Sequence, residues 1–136
     1  EQFIVTTSGR DSLDPFLKTS LNSHFNIFSK IITYEDVSKH KPFPDAYNLA
    51  VQLSKYPKAN CIAIEDSSNG VEAAHAANLN CLLTLPPWPS TYLNITKKAT
   101  ACVDSLGNNN INSNVIYGKP LISNNVDYAY LTNIIN

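Results

Sequence analysis

The chain has 136 residues, 43% hydrophobic and 15% charged, enough apolar content for the core of one modest domain and too much for a disordered segment. Ten Lys and Arg stand against eleven Asp and Glu, a net charge of −1, which excludes the basic stripe of a nucleic-acid-binding surface. No run of eighteen apolar residues is present, so no membrane span is expected; Cys61, Cys81 and Cys102 follow no metal spacing and read as small buried hydrophobes in a reducing compartment.

Phe3-Ile4-Val5-Thr6-Thr7 is short, apolar and β-branched, the pattern of a buried strand, and it ends in a polar turn at Ser8-Gly9-Arg10. Leu13, Phe16, Leu17 and Leu21 recur at helical spacing and predict a helix over 12–22, with Pro15 in its first turn, where a missing N–H does no harm. Ile31-Ile32-Thr33-Tyr34 predicts a second strand, and 44–54 a helix with Tyr47, Ala50, Val51 and Leu49 inward. Cys61-Ile62-Ala63-Ile64 is continuously apolar, as in a strand buried on both faces. An alanine-rich helix over 69–78, a fourth strand over 81–85 and a short fifth over 101–103 follow. Beyond an Asn-rich loop over 108–114, an edge strand over 115–117 and a terminal helix over 127–135 complete the chain, with Ala129, Leu131 and Ile134 partly inward. Strands alternating with short helices predict a parallel α/β sheet with right-handed crossovers. The chain thus divides into a core over 1–107, the Asn-rich loop over 108–114 and a tail over 115–136 that packs on the core.

Functional groups of such sheets gather at the carboxyl ends of the strands. Three polar clusters fall there: Thr6-Thr7-Ser8, Lys39-His40-Lys41 and Glu65-Asp66-Ser67. Two adjacent carboxylates ending an apolar strand are costly unless a cation or hydrogen bonds compensate, and Mg²⁺ prefers such hard oxygen ligands. The same residues fit a helix N-terminus equally well, with Asp66 or Ser67 as cap and Glu72 in the first turn. Pro42 and Pro44 brace the backbone after Lys41, whose ammonium suits a phosphate or carboxylate; Lys39 and His40 read as a solvated basic turn. The Thr6-Thr7-Ser8-Gly9 turn offers hydroxyls and backbone N–H groups to an anion, or an ordinary helix cap. Trp88, among Pro86, Pro87 and Pro89, reads as packing; His24 and His75 have no partner pattern.

In this order the clusters resemble the haloacid dehalogenase superfamily of phosphohydrolases. The strand ending Val5-Thr6-Thr7-Ser8 looks like its second motif. Lys41-Pro42-Phe43-Pro44-Asp45-Ala46-Tyr47 looks like its third, in the K-P-x-P-D-x-Y/F form of the β-phosphoglucomutase-like branch. Ile64-Glu65-Asp66-Ser67-Ser68-Asn69-Gly70-Val71-Glu72-Ala73-Ala74 looks like its fourth. Within that branch, residues 35–42 and 81–107 look most like the CbbY-type sugar-phosphate phosphatases, for which xylulose 1,5-bisphosphate is a known family substrate.

The resemblance implies a Rossmann-like, three-layer α/β/α core with a mostly parallel sheet, Mg²⁺ as cofactor and a small phosphorylated sugar as substrate. It makes Lys41, Thr7 and Glu65 catalytic, places Thr7, Ser8 and Lys41 on the phosphoryl group, and gives the metal to Asp66 and Glu65. Two parts of the pattern are absent: the D-x-D-G-T/V motif, whose aspartates are nucleophile and acid/base, and the helical cap. In the family the strand carrying that motif lies at the centre of the sheet, so its loss exposes two unpaired edges. We therefore expect the C-terminal part of a larger enzyme, inactive alone, completed by the missing N-terminal half or by a partner covering those edges. A phosphomutase, or a non-catalytic phosphate- or partner-binding remnant, is the alternative. No nucleic-acid or membrane partner is expected, and the location expected is the cytoplasm, or the plastid stroma in a photosynthetic eukaryote.

Overall fold

A computed structural model of the chain describes residues 1–21, 26–85 and 95–136. Strand β1 (Phe3–Val5) pairs in parallel with β2 (Lys30–Ile32), Phe3 opposite Lys30 and Val5 opposite Ile32. Between them in sequence lies helix α1 (Arg10–Leu21). It opens two residues before the predicted start, because Gly9 O accepts the N–H groups of Ser12 and Leu13 at 3.2 and 3.0 Å. Pro15 therefore lies inside the helix rather than in its first turn. Leu17 is buried, whereas Phe16 is 63% exposed, so the apolar stripe is narrower than the spacing suggested. Asn22 and His24 lie outside the described residues.

The second sheet holds β3 (Ile62–Glu65), β4 (Asn80–Thr84) and β5 (Ala101–Val103) in parallel, closed by β6 (Val115–Tyr117), which runs antiparallel to β5. Helix α2 (Asp45–Leu53) precedes β3, α3 (Ser68–Ala76) links β3 to β4, and α4 (Tyr128–Ile135) ends the chain. Period-two alternation splits β4 between two cores. Cys81 and Leu83 join Val71, Ala73 and Ala74 of α3 and Tyr47 of α2. Leu82 instead joins Ala101, Val103 and, from α4, Tyr130 and Ile134. The sheet is thus covered on both faces, giving the three-layer α/β/α core. Leu82 and Leu83 are fully buried, each contributing about 2 kcal/mol by apolar burial.

Two details depart from the sequence pattern. Ile64 is 47% exposed, so β3 is not buried on both faces; the core under α4 reaches Ile62, and Ile64 lies beyond it. In α4 the deeply buried residue is Tyr130, not Ala129, and its hydroxyl donates to Lys119 O at 3.1 Å. The cysteines behave as predicted in part: Cys81 and Cys102 are fully buried and Cys61 half-buried. Burial first, then the Glu65 charge, pushes the Cys81 thiol up to about 12, and burial pushes Cys102 up to about 11. Both stay protonated and inert at neutral pH. No helix among the described residues is long and apolar enough to cross a membrane.

Sheet pairing stops between β1 and β3. β1 pairs with β2 and β3 with β4, and among the described residues no strand of one sheet is hydrogen-bonded to the other. Each of β1 and β3 keeps one edge free of any strand among the described residues.

Candidate functional site

The carboxyl ends of β1 and β3 meet across that break, and the loop before α2 places Lys41 between them. The loop is entered through a turn after β2, where the Asp36 carboxylate accepts the Thr33 N–H and hydroxyl at 2.8 and 2.9 Å and Arg10 Nη2 at 3.3 Å. The Thr33 backbone bond, then its hydroxyl, holds the Asp36 carboxyl below the ordinary value. The Lys41–Pro42 peptide is cis, and Pro44 occupies the N-cap position of α2.

The Lys41 side chain is 9% exposed and the Glu65 side chain 7%. Lys41 Nζ donates to Val5 O at 2.9 Å and forms an ion pair with Glu65 Oε1. The ammonium stands 4.8 Å from the centroid of the Tyr47 ring. Tyr47 in turn donates its hydroxyl to Glu65 Oε1. Burial, followed by the charge and hydrogen bond of Glu65, pushes the Tyr47 phenol far above its ordinary value, so it remains a donor. A carboxylate buried this deeply is costly unless charge and hydrogen bonds answer it; here one cation and one hydroxyl do so on one oxygen.

Gly70 explains the other side of that carboxylate. A Cβ at this position would collide with the Glu65 carboxyl group. The glycine of the fourth motif thus leaves room for the acid five residues earlier. Ser67 is the N-cap of α3, its Oγ accepting the Gly70 N–H at 3.1 Å. The cap and the acid site therefore coexist: Ser67 takes the helix end, and both carboxylates stay free of that duty. Glu72 pairs instead with Lys98 at 3.2 Å.

Strand alternation sends Glu65 inward and leaves Asp66 exposed. Asp66 lines a cleft of about 420 Å³ together with Thr6, Thr7, Lys41 and Glu65, flanked by Val5, Ile64, Ser67 and Asn69. Among the described residues nothing pairs with the Asp66 carboxylate. Thr7, Lys41, Glu65 and Asp66, from three separate segments, are thus brought together. Ser8 is exposed and outside the lining; its N–H donates to Thr6 Oγ1 at 3.0 Å. Lys39 lies over the Phe43 ring, and His40 stands edge-on to Tyr34, both away from the cleft. His75 is exposed on α3. Trp88 lies outside the described residues.

Among the described residues no group of three or more His, Cys, Asp or Glu side chains gathers to hold a metal. Mg²⁺ asks for less: one or two protein carboxylates, with waters and phosphate oxygens filling the octahedron. An unpartnered Asp66 facing the cleft beside Glu65 fits that donor set. The site contact that the sequence reading did not assign is Tyr47, placed only as an inward residue of the helix and a member of the third motif. Its place on the inward face of α2's first turn, just after the Lys41 loop, was the available signal.

A profile of the haloacid dehalogenase-like hydrolase family matches residues 1–84. Protein CbbY of Rhodobacter capsulatus is 37% identical over 90 residues, covering 65% of this chain and 38% of that protein. CbbY from Rhodobacter sphaeroides, solved in complex with phosphate, superposes with a TM-score of 0.58 at 29% identity, covering 62% of this chain and 38% of that one. A mutant of the same protein in complex with xylulose-(1,5)bisphosphate gives 0.67 at 28% identity, covering 77% and 48%. The chain spans less than half the length of these relatives. With the family profile running from β1 through β4, and the three motif segments meeting at one cleft, the chain belongs to the haloacid dehalogenase-like hydrolase family.

Proposed function

We propose that the full-length protein containing this chain is a Mg²⁺-dependent phosphatase acting on a small sugar phosphate, and that this chain supplies its phosphoryl-binding and metal-holding groups. The observation that carries the reading is the convergence of Thr7, Lys41, Glu65 and Asp66 on one cleft at the strand ends. Phosphoryl transfer needs positioning and charge stabilisation more than elaborate covalent machinery. Lys41 offers the cation, held at the cleft by Val5 O and Glu65. Thr7 offers a hydroxyl and a backbone N–H at the end of β1. Asp66, with Glu65 beside it, would hold Mg²⁺, which when bound would neutralise charge on the phosphoryl oxygens.

The nucleophile in this reading is an aspartate carried outside the chain, on a strand that enters between the free edges of β1 and β3. Its carboxylate attacks phosphorus, the sugar oxygen leaves and takes up a proton, and water then hydrolyses the acyl phosphate. The free edges support this, as does the likeness to CbbY solved with phosphate and with a sugar bisphosphate. The test is a screen of sugar mono- and bisphosphates against the full-length protein and the 136-residue chain, following released phosphate with and without Mg²⁺. The full-length protein is expected to hydrolyse at least one, only with Mg²⁺, with Asp66→Asn abolishing turnover; the chain alone is expected to be silent. Turnover by the chain alone, or Mg²⁺-independent turnover by the full-length protein, contradicts the reading.

A further inference from the structure

We propose that Tyr47 is a positioning residue for the buried Lys41–Glu65 pair, and that its hydroxyl, beyond its ring, fixes how Lys41 is presented to the phosphoryl group. The inference rests on the phosphatase reading above. Tyr47 is 6% exposed and touches both members of the pair. Its hydroxyl donates to Glu65 Oε1, the oxygen that also accepts Lys41 Nζ, and it lies 3.4 Å from that nitrogen. Its ring stands 4.8 Å from the same ammonium.

A lysine ammonium is a point charge on a flexible stem, with three donors and no direction of its own. Direction must come from its acceptors. Val5 O is a fixed backbone acceptor at 2.9 Å. Glu65 is a rotatable one, and two features limit its rotation. Tyr47 claims Oε1 from one side, and on the other side Oε2 packs over Gly70, where no Cβ could be tolerated. The carboxylate therefore has one orientation, and Lys41 has one place to sit. Without the hydroxyl, Oε1 answers to Lys41 alone, and the pair is free to close on itself and turn the ammonium away from the cleft. The motif this segment resembles accepts Tyr or Phe here, so the ring suffices for packing. The hydroxyl is a separate contribution, and it can be removed without opening a cavity.

The experiment is Tyr47→Phe in the full-length protein, alone and combined with Glu65→Gln, with kcat, KM, thermal midpoint and inorganic-phosphate binding measured for each. Tyr47→Phe is expected to lower kcat about tenfold, the scale of one hydrogen bond to a charged group, with KM within about twofold and the midpoint little changed. In the Glu65→Gln background it is expected to add almost nothing, since the hydroxyl acts through that carboxylate. Unchanged kcat in Tyr47→Phe, or losses that multiply in the double variant, overturns the positioning role. Lys41→Ala separates the two levels. If it abolishes turnover while Tyr47→Phe matches the unaltered protein, the positioning role alone fails. If Lys41→Ala turns over normally, or the unaltered protein neither turns over nor binds phosphate, the phosphatase reading fails and takes this inference with it.

Discussion

The four-stranded sheet is finished on one side and open on the other. Beyond β5, β6 turns back antiparallel, and α4 lays Tyr130 and Ile134 against Leu82, Ala101 and Val103. The polar groups there are structural: Asp127 caps α4 through the Tyr130 N–H at 2.8 Å, and Asp104 accepts from Asn114 at 2.7 Å through both backbone and side chain. At β3, among the described residues, the edge is unpaired, Ile64 is half exposed, and a buried lysine and glutamate face each other beside an aspartate with no partner. One side is closed by its residues, and the other keeps charge and an edge with no strand partner among the described residues. The closed end contributes stability alone, whereas in the proposed reading the open end couples stability to chemistry.

That division breaks if the open end proves structurally inert. Lys41→Ala leaves the Glu65 carboxylate buried with only the Tyr47 hydroxyl, and we expect a loss of about 3–5 kcal/mol in denaturant unfolding. In the full-length protein it is also expected to lower turnover about 10²–10³-fold. Replacing the pair together, Lys41→Met with Glu65→Leu, is expected to recover most of the stability and none of the turnover. At the closed end, Leu82→Ala removes a fully buried side chain and is expected to cost about 3 kcal/mol while leaving kcat and KM unchanged. If Leu82→Ala altered kcat as strongly as Lys41→Ala, the two ends would not be separable.

Smaller effects sharpen the contrast. Gly70→Ala forces a methyl into the space of the Glu65 carboxylate, with an expected cost of about 1–3 kcal/mol and a kcat defect that other α3 substitutions lack. Ser67→Ala removes the α3 cap, expected at about 1 kcal/mol in the same unfolding assay. Acid should have the smallest effect, and at the closed end it can be read on α4. The Tyr130 N–H, then Ser123, holds the Asp127 carboxyl below its ordinary 3.8. A depressed carboxyl contributes stability above the unfolded value and loses it as pH falls through the folded one. Amides of α4 are therefore expected to lose hydrogen-exchange protection, relative to those of β4, as pH drops below about 4.

Much of the fold was legible in the residues. The apolar runs located all six strands of the described residues to within a few positions, because strands buried on one or both faces carry dense β-branched and aliphatic residues. Pro44 and Ser54 bracketed α2, and Ser67 opened α3, because capping is local chemistry. What was not legible depended on distant partners. The start of α1 is set by Gly9 O, and the Arg10 N–H reaches Glu35 across 25 residues. The exposure of Ile64 depends on where the core under α4 stops. At the site, Thr7, Lys41, Glu65 and Asp66 could be named through the resemblance of their motifs, but the hydrogen-bonding contrast between the two carboxylates could not. It arises when Lys41 and Tyr47 both choose Glu65 Oε1 and leave Asp66 to the cleft.

If the cleft between β1 and β3 binds a phosphoryl group through Lys41 and a metal through Asp66, its phosphate affinity must depend on both side chains. Calorimetric titration of inorganic phosphate into the full-length protein, with and without Mg²⁺, tests it most directly. Binding that Mg²⁺ strengthens, that Lys41→Ala abolishes, and that loses its Mg²⁺ dependence in Asp66→Asn is the result predicted. Phosphate affinity indifferent to both substitutions would contradict the claim.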